Sequence, residues 1–438
     1  MSDAPVVIIG AGPVGLAAAA HLAERQMPFM VLEAGSNIAE NVRRWGHVRV
    51  FSPWRYIIDQ AAERLLTKHG WTPPDLDTLP TGKEIITHYL APLADILAPH
   101  IQTQSRVIGI ARQGLDKVKT ADRAERPFVV TVQGSAGYRQ IIASAVIDAS
   151  GTYGTPNPIG ANGYPALGER EHADKIYYGI PDILGADRAR YADRRVVVVG
   201  SGHSAFNALL DLVALRAQHP QTEILWVLRR KTFGNIFGGG EEDALPSRGA
   251  LGQRLYQAIQ TDAIDVKMGF SVMSVESQND GIILKSDEDS TPIVDEIIAT
   301  TGLRPDLTML RELRVELDPI LEAPPALAPL IDPNIHSCGT VPPHGVNELQ
   351  HPEPNFYIIG MKSYGRAPTF LMLTGYEQAR SVVAALAGDW EAAQRVELTL
   401  PETGVCCTVP APDLSEKFGD LIMLNSSAAS EQAQGGCC

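Results

Sequence analysis

The hydrophobic positions of this chain fall into two segments that repeat the same order of predicted elements. In the first segment, four consecutive apolar residues (Val6–Ile9) precede a glycine-rich turn and an alanine-rich helix, and a second apolar run follows at Phe29–Leu32. In the second segment, Arg195–Val199 precedes another glycine-rich turn, an apolar-periodic helix over residues 205–217 and an apolar run over 224–228. Short β-branched runs are typical of buried parallel strands. The pattern therefore predicts the α/β class, with helices covering parallel sheets.

The first glycine-rich turn reads Gly-Ala-Gly-Pro-Val-Gly between residues 10 and 15. Gly10 allows the tight turn, Gly12 lets main-chain N–H groups approach a pyrophosphate, and Gly15 lets the helix pack closely on the strand. Glu33 ends the second apolar run, about 20 residues beyond the turn, where a carboxylate binds an adenosine ribose hydroxyl. In the alternative interpretation these glycines only turn the chain. The order of strand, turn, helix and acid favours a dinucleotide site.

The second turn has a similar glycine pattern, but the strand after its helix ends differently. Gly200 and Gly202 occupy the first two glycine positions, and Ser204 lies at the start of the helix. The apolar run after the helix ends in Arg229 and Arg230 rather than in an acid. Guanidinium groups match a ribose 2′-phosphate, whereas a carboxylate accepts from a free 2′-hydroxyl; a solvated strand end is the alternative. The two segments predict two doubly wound, Rossmann-like domains for two different dinucleotides, the second of them phosphorylated.

Three further apolar runs end in small residues, which allow the main chain to approach a ligand closely. They end at Gly151, at Gly302 and at Gly360. Alternating short apolar runs that begin near residue 106 predict several short strands. These strands resemble the β-meander that many nucleotide-binding flavoproteins have beside their first sheet, so we expect one here. The last apolar run is followed by a helix over about residues 369–386, whose N-terminus is suited to stabilising negative charge.

Composition and charge exclude several classes of function. The chain has 438 residues, of which 45% are hydrophobic and 20% charged, as in globular proteins of two or three domains. Its net charge of −14 argues against nucleic acid and anionic membranes as partners. The sequence has no run of eighteen apolar residues and no basic segment before its apolar N-terminus, so we expect neither a membrane span nor a signal peptide but a cytoplasmic protein.

Together these motifs resemble those of the flavoproteins with two dinucleotide-binding domains, the group of the flavin-containing monooxygenases and thioredoxin-reductase-like enzymes. The resemblance covers roughly residues 5–390. It implies an FAD-binding domain formed by residues 1–190 and 326–400, with an NADPH-binding domain inserted at 191–325. Residues 401–438 would form a flexible C-terminal tail.

The resemblance also implies which residues contact each cofactor. For FAD these are Gly10, Gly12, Gly15, Glu33, Arg44, Trp45, Val107, Gly151 and Gly360. For NADPH they are Gly200, Gly202, Ser204, Arg229, Arg230 and Gly302. Two features depart from the group: Gly360 is followed by Met361 instead of the usual aspartate, and the FxGxxxHxxxW fingerprint of several monooxygenase subgroups is absent. These departures leave open which monooxygenase class the chain resembles.

The cysteines restrict the chemistry further. No cysteine precedes residue 338, so the redox-active cysteine pair of the disulfide reductases in this group is missing and the flavin must act directly. Two adjacent pairs lie near the end of the chain, and adjacent cysteines close only a strained disulfide ring. Two neighbouring thiolates instead suit a soft, thiophilic ion; a disordered tail with incidental cysteines is the alternative. The candidate substrate-binding residues are Cys338, Cys406, Cys407, Cys437 and Cys438.

The combined hypothesis is an NADPH- and FAD-dependent monooxygenase that uses O₂ to oxygenate a small thiophilic substrate. In this it resembles the flavin monooxygenases of arsenic detoxification, which oxidise trivalent arsenicals to pentavalent ones. The alternatives are a flavin reductase of a metal ion or an electron-carrier protein, and a metalloid- or redox-sensing flavoprotein. The sequence predicts no metal cofactor and identifies no catalytic acid or base, because His203 and His344 are both in positions typical of structural histidines. The oligomeric state stays open.

Overall fold

The computed structural model describes residues 4–234, 236–237, 246–335 and 341–398, in which the chain forms two compact units. The first unit contains the described residues up to Thr155, Arg304–Asp332 and the described residues from Val341 onwards. The second unit contains the described part of Pro156–Leu303 together with residues 333–335. The chain therefore leaves the first unit after Thr155, returns to it at Arg304, and leaves it again for a short segment after Asp332.

The described strands are short, as expected for a doubly wound fold. In chain order they are β1 (Val6–Ile9), β2 (Phe29–Leu32), β3 (Ile101–Gln102), β4 (Arg106–Arg112), β5 (Phe128–Gly134), β6 (Gly137–Ala143), β7 (Ala145–Asp148), β8 (Ile176–Tyr178), β9 (Arg195–Val199), β10 (Glu223–Val227), β11 (Asp265–Lys267), β12 (Ser274–Gln278), β13 (Gly281–Lys285), β14 (Glu296–Ala299) and β15 (Phe356–Ile358).

The two helices that follow the glycine-rich turns are among the longer helices described. In chain order the described α-helices are α1 (Pro13–Glu24), α2 (Glu40–Arg44), α3 (Gln60–Lys68), α4 (Gly82–Ile85), α5 (Ala91–Leu97), α6 (Arg188–Tyr191), α7 (His203–Arg216), α8 (Pro246–Gln260), α9 (Ala328–Ile331), α10 (Met372–Leu386) and α11 (Trp390–Gln394).

The first unit has three layers, and the middle layer is a parallel sheet with the strand order β15-β7-β1-β2-β3. Side chains alternate between the two faces of a strand, and β1 shows this directly. Val6 and Ile8 pack into a core that includes residues of α1, α3 and α10. Val7 and Ile9 pack on the opposite face, against residues of the antiparallel sheet β4-β5-β6. The predicted meander beside the first sheet is therefore present.

The second unit repeats the doubly wound arrangement with the strand order β11-β10-β9-β14-β8, all parallel. β9 lies in the centre and pairs with β10 on one side and with β14 on the other. A separate antiparallel hairpin consists of β12 and β13. The carboxyl ends of β9, β10 and β14 therefore meet at one edge of the sheet, which is where ligands bind in such folds.

The unit boundaries lie earlier in the chain than the expected domain boundaries at residues 190 and 325. The first crossing is at Thr155 because the next strand, β8, pairs with β14, and because Ile159 packs into the core of the second unit. The chain re-enters the first unit at Arg304 because Leu310 and Leu313 pack into the core between its two sheets. Strand pairing and side-chain burial, which no local pattern reveals, fix both positions.

Candidate functional site

The first glycine-rich turn connects β1 to α1 and is shaped by close main-chain contacts. Gly10 has a φ of +98°, in the left-handed region, and a Cβ there would lie 2.8 Å from the carbonyl oxygen of Ala149. A Cβ on Gly15 would lie only 2.0 Å from the carbonyl oxygen of Gly10. Both positions require glycine because of the fold itself, before any ligand is considered.

Gly12 differs from both, because the space beside it is open. Among the described residues, its chain neighbours aside, nothing lies within 4 Å of the position that a Cβ on Gly12 would take. Gly12 is also the N-cap of α1, with Pro13 at the first helical position and no side chain capping the helix. A helix N-terminus with uncapped N–H groups and open space before it matches the needs of a pyrophosphate. The turn therefore fits the diphosphate of a dinucleotide such as FAD.

Glu33 follows β2 and holds the turn through main-chain hydrogen bonds. Its Oε2 accepts from the N–H of Ala11 at 2.8 Å, and its Oε1 accepts from the N–H of Gly35 at 2.7 Å. Each carboxylate oxygen has a second lone pair, so these bonds leave acceptor capacity for a ribose hydroxyl. The predicted ribose-binding residue thus also fixes the main chain between the first two glycines.

Two of the remaining residues predicted for FAD follow strands of the same sheet. Gly151 comes shortly after β7 with a φ of +68°, and Gly360 comes shortly after β15 with a φ of +72°. A Cβ on Gly360 would lie 3.3 Å from the Val14 side chain, at the N-terminus of α1. Because β7 and β15 run parallel to β1, the ends of all three strands border the Gly10–Gly15 turn.

The other three predicted FAD residues lie in different surroundings. Arg44 ends α2 and is exposed, whereas the half-buried Trp45 stacks on Tyr153 with ring centroids 6.3 Å apart. The indole N–H of Trp45 is buried and has no hydrogen-bond partner among the described residues. Val107 lies in β4 with its side chain in the core between the two sheets, so only its main chain is available to a ligand.

The second glycine-rich turn, between β9 and α7, reproduces the geometry of the first. Gly200 has a φ of +133°, and a Cβ there would lie 2.4 Å from the carbonyl oxygen of Thr300. Gly202 is the N-cap of α7, again without a side-chain cap, and nothing described lies within 4 Å of its Cβ position apart from its neighbours. Ser204 is the second residue of α7, and Gly302, with a φ of +89°, comes shortly after β14. This turn also fits a diphosphate.

Arg229 and Arg230 follow β10, which pairs with β9 in parallel, so they lie at the same edge of the sheet as the second turn. The exposed Arg229 donates to the carbonyl of Ala161 at 3.1 Å, and the half-buried Arg230 donates to the carbonyl of Phe233 at 2.9 Å. A guanidinium has five N–H donors arranged in a planar fork, and these bonds orient both groups at this edge of the sheet. The pair fits the expected role of binding a 2′-phosphate.

Residues 7–323 match the family of the pyridine nucleotide-disulphide oxidoreductases, a span that contains both glycine-rich turns and Arg229 and Arg230. The chain belongs to this family. Membership confirms the prediction of a two-domain flavoprotein fold, of an oxidoreductase, and of FAD and a pyridine nucleotide as its cofactors.

Similar proteins within and around this family differ in what they do. The chain is 28% identical over 239 residues to indole-3-pyruvate monooxygenase YUCCA1 of Oryza sativa subsp. japonica, a match that covers 53% of this chain and 51% of that protein. The chain thus spans about half the length of the curated relatives it matches. Bacillithiol disulfide reductase Bdr (YpdA) from Bacillus cereus has a TM-score of 0.65 at 19% identity, covering 88% of this chain and 99% of that one.

The cadaverine monooxygenase DfoA from Erwinia amylovora, in a structure bound to FAD, has a TM-score of 0.60 at 12% identity. That match covers 90% of this chain and 98% of the other. At such low identities the two solved structures show that the chain shares their fold. A shared fold does not determine the reaction, which depends on the residues of the chain's own site.

One further group of polar side chains, not among the predicted site residues, lies next to the first glycine-rich turn. Asp148, the last residue of β7, forms an ion pair with Lys362, and Ser150 donates to Asp148 from its hydroxyl at 2.6 Å. Lys362 lies in the 3₁₀ turn Gly360–Tyr364 that follows β15. The sequence offered one sign of this pair, since an acid ending a wholly apolar strand needs a partner when buried. It did not show which residue the partner is.

Neither histidine considered in the sequence is placed as a catalytic base. His203 begins α7, and its ring lies edge-on to Phe206. His344 is buried between the carbonyl of Pro342, 3.0 Å from its Nδ1, and the side-chain amide of Gln378, 2.8 Å from its Nε2. Burial lowers the pKa of His344, so its imidazole is neutral in this structural network.

The cysteine prediction falls outside the part of the chain that the structure describes. This holds for Cys338, Cys406, Cys407, Cys437 and Cys438. Within the described ranges, no group of three or more histidine, cysteine, aspartate or glutamate residues is arranged to hold a metal ion. The helices of those ranges also include none that is both long and apolar enough to cross a membrane.

Proposed function

We propose that this chain is an NADPH-dependent FAD monooxygenase that oxygenates a small, soft, thiophilic substrate. FAD binds in the first unit and NADPH in the second, which makes the first unit the discontinuous flavin domain. The FAD residues are Gly10, Gly12, Gly15, Glu33, Arg44, Trp45, Val107, Gly151 and Gly360, and the NADPH residues are Gly200, Gly202, Ser204, Arg229, Arg230 and Gly302.

The observation that carries the proposal is a pair of helix N-termini without a side-chain cap, with open space beside Gly12 and Gly202, in a chain with no cysteine before residue 338. Bound FAD would supply the redox chemistry, which is the transfer of electrons from NADPH to O₂ or to another acceptor. Since no dithiol is encoded near either turn, the electrons have no cysteine relay to follow. The protein contributes binding and orientation, through the N–H groups of α1 and α7 and through Glu33.

A direct reaction with O₂ is favoured over the other fates of the electrons by the similarity to rice indole-3-pyruvate monooxygenase. In such a reaction NADPH would supply a hydride, that is, two electrons and one hydrogen, and solvent would supply one proton. One atom of O₂ would join the lone pair of the substrate, and the other would leave as water with these two hydrogens. Sulfur, selenium and trivalent arsenic have lone pairs that suit this transfer. The similarity covers about half of the relative, so the acceptor itself is argued from this chain.

We assign trivalent arsenicals as the substrate class to test first, because two pairs of adjacent thiols suit soft thiophilic ions. The pairs are Cys406 with Cys407 and Cys437 with Cys438. Once one thiol has bound the ion, its binding to the adjacent thiol is effectively intramolecular. A pair of thiols therefore retains such an ion at low concentration better than a single thiol does. The same chemistry would allow Cys338 to act as a third soft ligand.

The experiment measures NADPH oxidation and O₂ uptake by the purified chain against thioethers, amines and trivalent arsenicals. The proposal expects a stimulated rate with one class, and one O₂ consumed for each NADPH when the reaction is well coupled. Product that forms equally well without O₂ would instead indicate a reductase of a metal ion or an electron carrier. Ligand binding without any steady NADPH turnover would indicate a metalloid- or redox-sensing flavoprotein.

The cysteine assignment has its own test within the same assay. Replacing all four paired cysteines by serine should raise the KM for a trivalent arsenical and leave thioether or amine turnover unchanged. If arsenical turnover keeps its KM and kcat in that variant, the thiols do not capture substrate. The monooxygenase proposal would then stand with another class of substrate.

A further inference from the structure

The ion pair between Lys362 and Asp148 is buried almost completely. The Nζ of Lys362 lies 2.7 Å from the Oδ2 of Asp148, and the two side chains are 1% and 0% exposed. The same Nζ lies 3.1 Å from the hydroxyl oxygen of Ser150, whose hydroxyl donates to the other carboxylate oxygen of Asp148. The three side chains therefore form one closed polar cluster in the first unit.

The cluster joins two segments that border the first glycine-rich turn. Asp148 pairs with Ile9 across β7 and β1, and the carbonyl of Ala149 directly faces Gly10. On the other side, Lys362 belongs to the turn that begins at Gly360, which packs on Val14 at the start of α1. The N–H of Ile359 also donates to the carbonyl of Asp148 at 2.9 Å, where the pairing of β7 with β15 ends.

Stability is a poor explanation for such a pair. Removing two charges from water costs about as much as their attraction returns, and buried pairs are often replaced by apolar residues without loss of stability. The pair lies at the carboxyl ends of β7 and β15, and ligands of doubly wound sheets bind at this end of the strands. A role in the ligand site therefore explains the charged pair better.

We propose that Lys362 is a positioning residue of the flavin site. Its ammonium group, by binding Asp148 and Ser150, fixes the main chain after β7 and the turn after β15 at the spacing that FAD requires around Gly10–Gly15. The role rests on the proposed binding of FAD in the first unit. It goes beyond that proposal because Lys362 acts through the two segments it joins and not through a predicted contact with the cofactor.

The test compares Lys362→Met, Asp148→Asn and the double variant in the full chain. Lys362→Met leaves a buried carboxylate without its cation, so the FAD-free chain should melt at a lower temperature and bind FAD weakly. Asp148→Asn keeps an acceptor oxygen for Ser150 while removing the charge. The double variant has neither charge, and its FAD-free form should melt within a few degrees of the unmodified chain.

The decisive readout is FAD binding by the double variant, measured by titrating the FAD-free chain and by the flavin absorption spectrum. We expect a dissociation constant about tenfold higher or more, and a shifted spectrum, despite the restored melting temperature. A double variant with unchanged FAD affinity and spectrum would overturn the role, because the pair would then serve stability alone. The matched control is Arg64→Met with Glu24→Gln, which removes a partly exposed ion pair of the same unit and should leave FAD binding unchanged.

Titration of the unmodified chain with FAD comes first and shows whether the chain binds FAD at all. An absence of binding would refute the cofactor assignment and this role with it. Weak FAD binding by the variants of Lys362 and Asp148, together with normal FAD binding by the Arg64→Met, Glu24→Gln control, supports the role, whatever substrate the enzyme oxidises.

Discussion

Replacing Gly12 and Gly15 by alanine, one at a time, separates what the fold requires from what the cofactor requires. The two residues lie three positions apart at the start of α1, and the substitution adds the same single methyl group. At Gly15 this group would meet the carbonyl oxygen of Gly10 at 2.0 Å, whereas at Gly12 it would meet nothing described within 4 Å apart from the chain neighbours. Gly12→Ala should therefore impair FAD binding alone, and Gly15→Ala should impair folding.

The expected magnitudes follow from these surroundings. Gly12 has a φ of −82°, which alanine adopts readily. Alanine is a poorer N-cap by roughly 0.5–1 kcal/mol, which is offset by about 0.4–1 kcal/mol from the lower entropy of the unfolded chain. A methyl group before α1 would displace the pyrophosphate from one charge-assisted hydrogen bond, about 1.5–3 kcal/mol, or about 10- to 100-fold in the FAD dissociation constant.

For Gly15→Ala the dominant effect is overpacking against the main chain, about 3 kcal/mol. In a unit of this size that corresponds to a melting temperature lower by about 6–12 °C. The same assay applies to both variants: thermal unfolding of the FAD-free chain, followed by titration with FAD. Gly202→Ala is the matched control, because its Cβ position is equally open but lies in the second unit.

The control should retain FAD and lose affinity for NADPH. If Gly12→Ala binds FAD as tightly as the unmodified chain, the pyrophosphate does not lie at this turn. If Gly15→Ala melts like the unmodified chain, the contact with Gly10 does not constrain the fold.

Three further outcomes are expected. Arg229→Ala with Arg230→Ala should raise the KM for NADPH about tenfold or more while changing the KM for NADH little, in steady-state assays; an equal loss for both would contradict 2′-phosphate binding. Glu33→Ala should lower the FAD content of the purified chain, measured by flavin absorbance, because it frees the Ala11 and Gly35 N–H groups; full occupancy would count against the ribose contact. Burial lowers the pKa of His351 from 6.5 to about 4, so the unfolded state takes up a proton at a higher pH than the folded state, and the free energy of unfolding falls as the pH drops from 6.5 towards 4. In denaturation experiments over this pH range, His351→Gln should weaken the pH dependence. An unchanged pH dependence would assign it to other groups.

The sequence alone determined the parts of the molecule that depend on neighbours in the chain. The order of apolar run, glycine turn and apolar-periodic helix predicted β1, β9 and the helices that follow them, because strand and helix formation there depends on local pattern. The same turns predicted two dinucleotide-binding units, and the structure shows why glycine is needed at Gly10 and Gly200. The glycine pattern was visible in the sequence, but the steric contacts that require it come from Ala149 and Thr300, which follow the neighbouring strands β7 and β14.

The tertiary structure decided the features that depend on residues far apart in the chain. The unit boundaries at Thr155 and Arg304 follow from the pairing of β8 with β14 and from burial of the chain after β14, neither of which has a local signature. Glu33 was expected to bind ribose, but only the fold shows that its carboxylate also holds the turn.

The ion pair of Lys362 with Asp148 is the clearest case. Asp148 ends an apolar strand and so indicates a buried partner, but nothing in the sequence marks Lys362, which lies more than two hundred residues later. They meet because β7 and β15 are neighbours in the parallel sheet, so that the segments after both strands emerge at the same edge. Strand order is set by the packing of the whole sheet, and therefore no spacing in the sequence could have revealed this contact.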